Sequence, residues 1–180
     1  FIVLESGFGA GLDEWAISVP FIFDNQIISS PLALPVLKKR SNSYDYLVAN
    51  GAKTADFVDF DNIIATEFKI NSPFIIGKAL SSMIAKTTLS AAVAKNDPTG
   101  GFLSIAANIF TNATTRADVR FWNSLPKYAK IVMIENKGRV VIQADDGTSV
   151  FESDLPDKNL LIVVRSFSRA SPSVVWLIQR

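Results

Sequence analysis

The order of its local patterns predicts that this chain folds as an α+β protein. Strand-like segments fill roughly residues 1–60, helical periodicity follows over roughly 61–117, and strand patterns return over 118–180. Strands and helices that are segregated along a chain are typical of this fold class. We therefore expect a single α+β domain over residues 1–180. In it, a mixed or antiparallel sheet from the N- and C-terminal thirds packs against the central helices.

The N-terminal third reads as short strands broken by turns. The stretch from Trp15 to Phe23 has an apolar side chain at every odd position, which predicts a strand with one apolar face. Pro20 removes a ladder donor and so places that strand at a sheet edge or a bulge. The run Gly7–Gly11 follows an apolar strand but lacks the glycine spacing of a dinucleotide-binding loop. We interpret it as a connection between two strands.

The central third is predicted to be helical. Asp61 is the expected cap of a first helix, which stops at Asn71, and a second helix restarts with Ser72 as N-cap and Pro73 as its first residue. Apolar and small residues then recur at threes and fours and predict a buried stripe: Ile76, Leu80, Met83, Ile84, Thr87 and Ala91. Turn-forming residues at 96–101 end this helix, and a short helix follows over 103–110.

The C-terminal third is predicted to return to strands. The segments 128–135 and 139–144 flank Gly138, which indicates a hairpin, and the turn at 145–147 precedes another strand. The continuous apolar run 160–164 is typical of a strand buried on both faces, and a last strand is expected over 174–178.

Composition excludes several classes of function. Hydrophobic residues make up 48% of the chain, the net charge is only +1, and the sequence contains neither Cys nor His. The chain thus lacks the commonest general base, thiolate chemistry and the usual transition-metal ligands, and it has no concentrated basic surface for nucleic acid. We therefore predict a protein that is not an enzyme, with no catalytic, cofactor-binding or metal-binding residues and no cofactor.

Three clusters of side chains can be interpreted either as chemical sites or as purely structural features. The carboxylates Asp56, Asp59 and Asp61 could present oxygens to calcium, although helix capping and solvation explain the cluster without a metal ion. Ser82 and Lys86, four residues apart on the predicted helix, could form a nucleophilic pair or an ordinary polar face. A modest basic concentration lies near aromatic residues and could bind a polyanion or form a solvated sheet edge: Arg116, Arg120, Lys127, Lys130, Lys137 and Arg139.

One motif is more specific and consists of Asp118, Arg120, Trp122, Leu125 and Pro126. Its structural interpretation is a corner between helix and sheet: Trp122 is buried with Leu125, Pro126 fixes the exit of the chain, and the two charged residues hold the corner. The motif Asp-x-Arg-x-Trp-x-x-Leu-Pro also resembles that of a family of poorly characterised bacterial envelope lipoproteins. These have N-terminal tetratricopeptide-like repeats and a C-terminal domain of unknown activity.

The resemblance extends over about residues 1–126. It includes the opening strand with Glu5 and Gly7, the stretch 58–64, and the Pro73 helix with basic residues at 78 and 86; Phe121 departs from the small polar residue common there. It implies a location in the bacterial periplasm or at the outer membrane. The chain begins on Phe1 inside an apolar run, and we expect it to be a fragment of a longer chain whose upstream residues could carry a membrane attachment.

The resulting expectation is a non-catalytic assembly or interaction module of a cell-envelope protein, which binds other protein subunits of an envelope-associated complex. The alternative is a module that binds a cell-wall or lipid-derived ligand in a pocket lined by aromatic residues. A hydrolase using carboxylates or the Ser82–Lys86 pair is a more distant third. No apolar run is long enough for a membrane-spanning helix, so no transmembrane segment is expected in this chain.

Overall fold

The structure, a computed structural model, describes residues 1–23, 26–99 and 101–179, and it confirms the α+β class. The chain divides into two compact units. Unit 1 comprises Phe1–Gly11, Lys39–Thr66 and Trp122–Arg180, and unit 2 comprises Leu12–Lys38 and Glu67–Phe121. That the chain unfolds as one cooperative domain stays a prediction.

Eleven strands and two helices occur in the described ranges. In chain order they are β1 (Ile2–Ser6), β2 (Gly11–Phe23), β3 (Gln26–Lys38), β4 (Leu47–Ala49), β5 (Ala52–Lys53), β6 (Ala55–Asp59), α1 (Phe60–Lys95), α2 (Phe102–Thr114), β7 (Tyr128–Val132), β8 (Arg139–Ala144), β9 (Ser149–Asp154), β10 (Leu160–Ser166) and β11 (Val174–Gln179).

Unit 1 contains two sheets that share one core. The first has the order β11-β10-β1-β7-β6, with β1 parallel to β10 and the other pairs antiparallel. The second is antiparallel, in the order β5-β4-β8-β9. Leu4 and Val164 of the first sheet and Leu47 and Ile142 of the second are completely buried in one hydrophobic cluster. The strand predicted over 160–164 is thus confirmed as a central, largely buried strand.

The hairpin predicted over 128–135 and 139–144 is wrong, although both strands exist. β7 pairs with β1 and β6, whereas β8 pairs with β4 and β9. The two strands therefore lie in different sheets, and the Gly138 segment carries the chain from one sheet to the other. The turn at 145–147 does connect a true hairpin, β8–β9.

The glycine-rich run after β1 connects two strands, as predicted, and its glycines are required by close packing. Gly7 has a positive φ of 61°, and a Cβ there would lie 3.0 Å from the carbonyl oxygen of Ser41. At Gly9 a Cβ would lie 3.1 Å from the carbonyl oxygen of Pro126, while the Gly9 amide donates to the Leu125 carbonyl at 2.8 Å. A side chain at either position would require the facing backbone to shift, and Gly7 also has a φ that favours glycine.

Unit 2 begins with a pair of thirteen-residue strands, β2 and β3, instead of the short strands that were predicted. Lys38 and Asp13 form an ion pair at 2.9 Å, and the hydroxyl oxygens of Ser18 and Ser29 lie 2.6 Å apart. Because these contacts run in opposite directions along the chain, the strands are antiparallel. The side chains of Phe21 and Phe23, part of the predicted apolar face, lie outside the described residues.

Helix α1 is one continuous helix, so the predicted break at Asn71-Ser72-Pro73 is wrong. Ser72 is not an N-cap: its hydroxyl donates to the carbonyl oxygen of Lys69 at 3.0 Å, inside the helix. The cap predicted for Asp61 is also wrong, because Asp59 precedes the first helical residue and its carboxylate accepts the Asn62 amide at 3.0 Å. Asp61 instead accepts the Ala10 amide at 2.6 Å.

Candidate functional site

The most unusual feature of unit 2 is the orientation of α2, which turns its polar side inward. Ser104, Ala107 and Thr111 face the interior of the unit, and Thr111 is buried. The opposite side consists of Phe102, Ile105, Ile109 and Phe110, which are 71%, 60%, 64% and 64% exposed. We call these four residues the α2 outer face. In a soluble monomer an amphipathic helix normally has the reverse arrangement.

Hydrogen bonds hold the inward side of α2 in place. The hydroxyl oxygens of Thr111 and Ser90 lie 3.2 Å apart, which links α2 to α1. On the same inward side of α1, Oγ1 of Thr87 lies 2.5 Å from Oγ of Ser30 and 2.8 Å from the Met83 carbonyl oxygen. Thr87 and Ser30 are both buried. The interior of unit 2 thus contains a layer of paired hydroxyl groups, which are satisfied and so tolerate burial.

The loop before α2 fixes the start of the helix. The carboxylate of Asp97 accepts hydrogen bonds from the amide of Thr99 at 2.8 Å and from the amide and hydroxyl of Ser104 at 3.0 and 2.9 Å. The hydrogen bond from the Thr99 hydroxyl is the largest of several influences that hold the pKa of Asp97 well below its usual range. These contacts position the first turn of α2 and therefore the orientation of its outer face.

The predicted buried stripe of α1 is only partly correct. Met83, Thr87 and Ala91 are buried. Ile84 is 51% exposed, and Ile76 and Leu80 are also exposed, so the prediction is wrong for these three. The larger apolar residues were expected to lie on the inward face of α1. Alanine, serine and threonine occupy much of that face instead. Apolar side chains consequently lie on the outside of both helices.

A second feature of unit 2 is a cleft of about 430 Å³, which we call the unit 2 cleft. Its apolar walls come from β2, β3 and α1, and they include Leu12, Leu32, Pro35, Ile75 and Met83. The cationic side chains that line it are Lys78, Lys86, Arg116 and Arg120, and Asp118 is its one carboxylate among the described residues. A cleft of this size, with apolar walls and a few convergent polar groups, has the properties of a small-molecule site.

Both members of the suggested nucleophilic pair, Ser82 and Lys86, line the unit 2 cleft. The ammonium group of Lys86 donates to the Thr114 carbonyl oxygen at 3.1 Å and to Oγ1 of Thr115 at 3.2 Å. These two contacts hold the ammonium group against the C-terminal end of α2.

The unit boundary falls within the Asp-x-Arg-x-Trp motif, between Phe121 and Trp122. In unit 2, Arg120 and Asp118 form a two-point ion pair at 2.9 and 2.7 Å, and the Arg120 guanidinium lowers the pKa of Asp118 to about 2. In unit 1, Pro126 is buried and Leu125 is half-buried. The predicted burial of Trp122 is wrong: it is 73% exposed, and its indole nitrogen donates to Oγ of Ser124 at 2.6 Å.

The acidic cluster separates into three structural roles within unit 1. Asp56 forms an ion pair with Lys130, Asp59 caps α1, and Asp61 pairs with Lys127 at 3.3 Å. No group of three potential metal ligands occurs among the described residues. The residues of the predicted basic concentration that lie in unit 1 are paired: besides Lys127 and Lys130, these are Lys137 with Glu135 and Arg139 with Glu152. Nothing in these contacts assembles a polyanion-binding surface.

No known protein family, no curated protein and no solved structure matches this chain. Within the described ranges, neither helix is sufficiently long and apolar to cross a membrane. The chain is an α+β protein in which one unit is a two-sheet core and the other presents an apolar helical face and a basic cleft.

Sequence reasoning missed the α2 outer face and the unit 2 cleft. A signal for the first was available, because α2 contains no charged residue over its thirteen positions, and a solvated helix of that length normally carries several. For the cleft, Lys78 and Lys86 lie two helical turns apart, which places them on one side of α1. Their convergence with Arg116 depends on the tertiary fold and leaves no local pattern.

Proposed function

We propose that this chain is a non-catalytic interaction module that binds other protein subunits through the α2 outer face. The observation that carries the proposal is the inverted packing of α2: hydroxyl groups are paired inside, and four large apolar side chains face outward. Such a surface is costly in water and becomes favourable when a partner covers it.

The chemistry of this surface supports a protein partner. Protein interfaces have apolar centres from which charged residues are depleted, and aromatic residues are enriched there. The α2 outer face follows this composition, with two phenylalanines, two isoleucines and no charge along the helix. Helices that lie on membranes usually carry lysine and arginine on their polar side, and α2 has neither.

The resemblance of the motif around Asp118 and Arg120 to bacterial envelope lipoproteins supplies the proposed location. We place the module in the periplasm or at the outer membrane, as part of an envelope-associated complex. The scarcity of catalytic residue types, with no His and no Cys in the chain, supports a binding role over an enzymatic one.

Site-specific photocrosslinking tests the proposal. A photoreactive amino acid replaces Ile109 on the α2 outer face in the full chain, and Lys137, which is exposed in unit 1, is the matched control position. After irradiation in the producing cells, we expect discrete protein adducts from position 109 and none from 137. The protein in the adduct, once purified, should bind the unmodified chain and lose that binding to an Ile105→Ser variant. Adducts with lipid alone, or equal adducts from both positions, would contradict the proposal.

A further inference from the structure

The unit 2 cleft is a surface distinct from the α2 outer face, and its lining combines two kinds of side chain. Leu12, Leu32 and Ile75 are apolar. Lys78 and Lys86 of α1, together with Arg116 in the segment after α2, are cationic. A ligand that satisfies both kinds of side chain has an apolar part and an anionic group.

The cations retain capacity to bind such an anion. Within the described part of the chain, no carboxylate lies within ion-pair distance of Lys78 or Arg116. Lys86 uses two of its three N–H donors on neutral oxygens of Thr114 and Thr115, so one donor remains. The two-point pairing of Asp118 with Arg120 offsets the charge of the one carboxylate that lines the cleft.

We propose that the unit 2 cleft binds a single-chain amphiphile with an anionic head group, a carboxylate or a phosphate. The head group contacts Lys78, Lys86 and Arg116, and the hydrocarbon chain lies against the apolar wall. The cleft volume of about 430 Å³ falls within the range of about 300–1,000 Å³ that is usual for small-molecule sites. The contacts provide charge-assisted hydrogen bonds at one end and apolar burial along the rest.

The test uses four probes with the same ten-carbon chain, each kept below its micelle-forming concentration: decanoate, decyl phosphate, decanol and decyltrimethylammonium. Titration calorimetry of the full chain should show one saturable site for decanoate or decyl phosphate. We expect decanol to bind at least about tenfold more weakly, because it lacks the charge-assisted hydrogen bonds. Tighter binding of decyl phosphate would identify a phosphate head group as the preferred one, and tighter binding of decanoate a carboxylate.

Variants then locate the bound amphiphile. Lys78→Met and Arg116→Gln should each weaken decanoate binding by roughly tenfold and leave decanol binding unchanged. Lys137→Met, an exposed lysine of unit 1, and Ile109→Ser, on the α2 outer face, are the matched controls and should change neither. Circular dichroism and the melting temperature verify that each variant is folded.

Two outcomes would overturn the inference. The first is equal binding of decanol, decyltrimethylammonium and decanoate, because the cations would then play no part. The second is loss of decanoate binding in Ile109→Ser with retention in Lys78→Met, which would assign the amphiphile to the α2 outer face. A negative result here leaves the photocrosslinking at position 109 unaffected, so the two proposals fail separately.

Discussion

Ser72 donates its hydroxyl to the carbonyl oxygen of Lys69, which is the acceptor that Pro73 leaves without a backbone N–H partner. Proline inside a helix removes one i→i−4 hydrogen bond and normally kinks or breaks the helix. The hydroxyl of Ser72 replaces that lost donor from the preceding position. This hydrogen bond offsets part of the cost of a proline inside α1, which continues to Lys95.

Ser72→Ala should therefore destabilise the chain only when Pro73 is present. We expect a loss of about 0.5–1.5 kcal/mol in the free energy of unfolding, because a carbonyl loses its partner. In a Pro73→Ala background the new backbone amide at that position supplies the hydrogen bond, and the same serine change should have little effect. Urea unfolding of the two single variants and the double variant measures this coupling. Equal losses in both backgrounds would show that the hydroxyl does not replace the missing donor.

The sequence predicted which segments are helix or strand better than it predicted how they pair. The strands β8 and β10 and the helix α2 lie close to their predicted positions because they depend on local periodicity. The hairpin predicted around Gly138 is wrong because β7 and β8 find partners far away in the chain. The break at Pro73 is wrong because α1 continues through the proline, with the Ser72 hydroxyl replacing the donor that the proline lacks.

The buried hydroxyl pair of Thr87 and Ser30 gives a second prediction. Thr87→Val keeps the shape of the side chain but leaves the buried Ser30 hydroxyl without this partner. We expect a loss of about 1–3 kcal/mol in the free energy of unfolding. Adding Ser30→Ala should recover part of it, because the unpaired hydroxyl is then removed. Urea unfolding of both single variants and of the double variant measures this coupling. If the loss in the double variant equals the sum of the two single losses, the two hydroxyl groups do not share a hydrogen bond.

The α2 outer face should be tolerant of polar substitution in the isolated chain. Ile105→Ser combined with Ile109→Ser removes two exposed apolar side chains, and each substitution should change the free energy of unfolding by about 0.5 kcal/mol or less. Binding of the fluorescent dye ANS, which reports exposed apolar surface, should fall clearly. The control Asn112→Ser changes an exposed polar residue of the same helix and should leave ANS fluorescence unaltered. A large loss of stability in the double variant would mean that this face is packed in solution.

Trp122 provides a direct check on the corrected position of the motif. Because its side chain is 73% exposed, Trp122→Ala should alter the free energy of unfolding by no more than about 0.5 kcal/mol. A buried tryptophan would instead cost roughly 3–5 kcal/mol. Thermal unfolding followed by circular dichroism distinguishes these values. Trp122→Phe should also remove the fluorescence component that acrylamide quenches most readily.

Asp97 makes the start of α2 sensitive to acid. Its pKa is lowered by its hydrogen bonds to Thr99 and Ser104, so the carboxylate form is the one that stabilises the folded loop. This contribution is present above the ordinary pKa of 3.8 and is lost as the pH falls through the lower pKa of the folded state. The amide resonance of Ser104 should consequently titrate with a midpoint well below 3.8. In Asp97→Asn that titration should disappear, and a midpoint near 3.8 in the parent chain would contradict these contacts.

The candidate surfaces were less predictable than the fold. The apolar residues of α2 were recognised as a helical pattern, and such a pattern alone is equally compatible with an inward or an outward apolar face. The choice is made by Ser90, Thr111 and the Asp97 loop, whose hydrogen bonds select the polar side for the interior. The sequence determines which side chains lie together on one face of α2, whereas tertiary contacts determine whether that face is turned inward or outward.

The parallel pairing of β1 with β10 delays completion of the first sheet, because Ile2 lies opposite Ile162 and the two residues are synthesised far apart in time. At about 5–20 residues per second, a ribosome needs about 8–30 s to translate the segment between them. Helix α2 is complete at Thr114, well before β10 has emerged. The nascent chain therefore displays its apolar helix while its first strand still lacks its central neighbour. We expect a chaperone to cover this surface until the sheet closes.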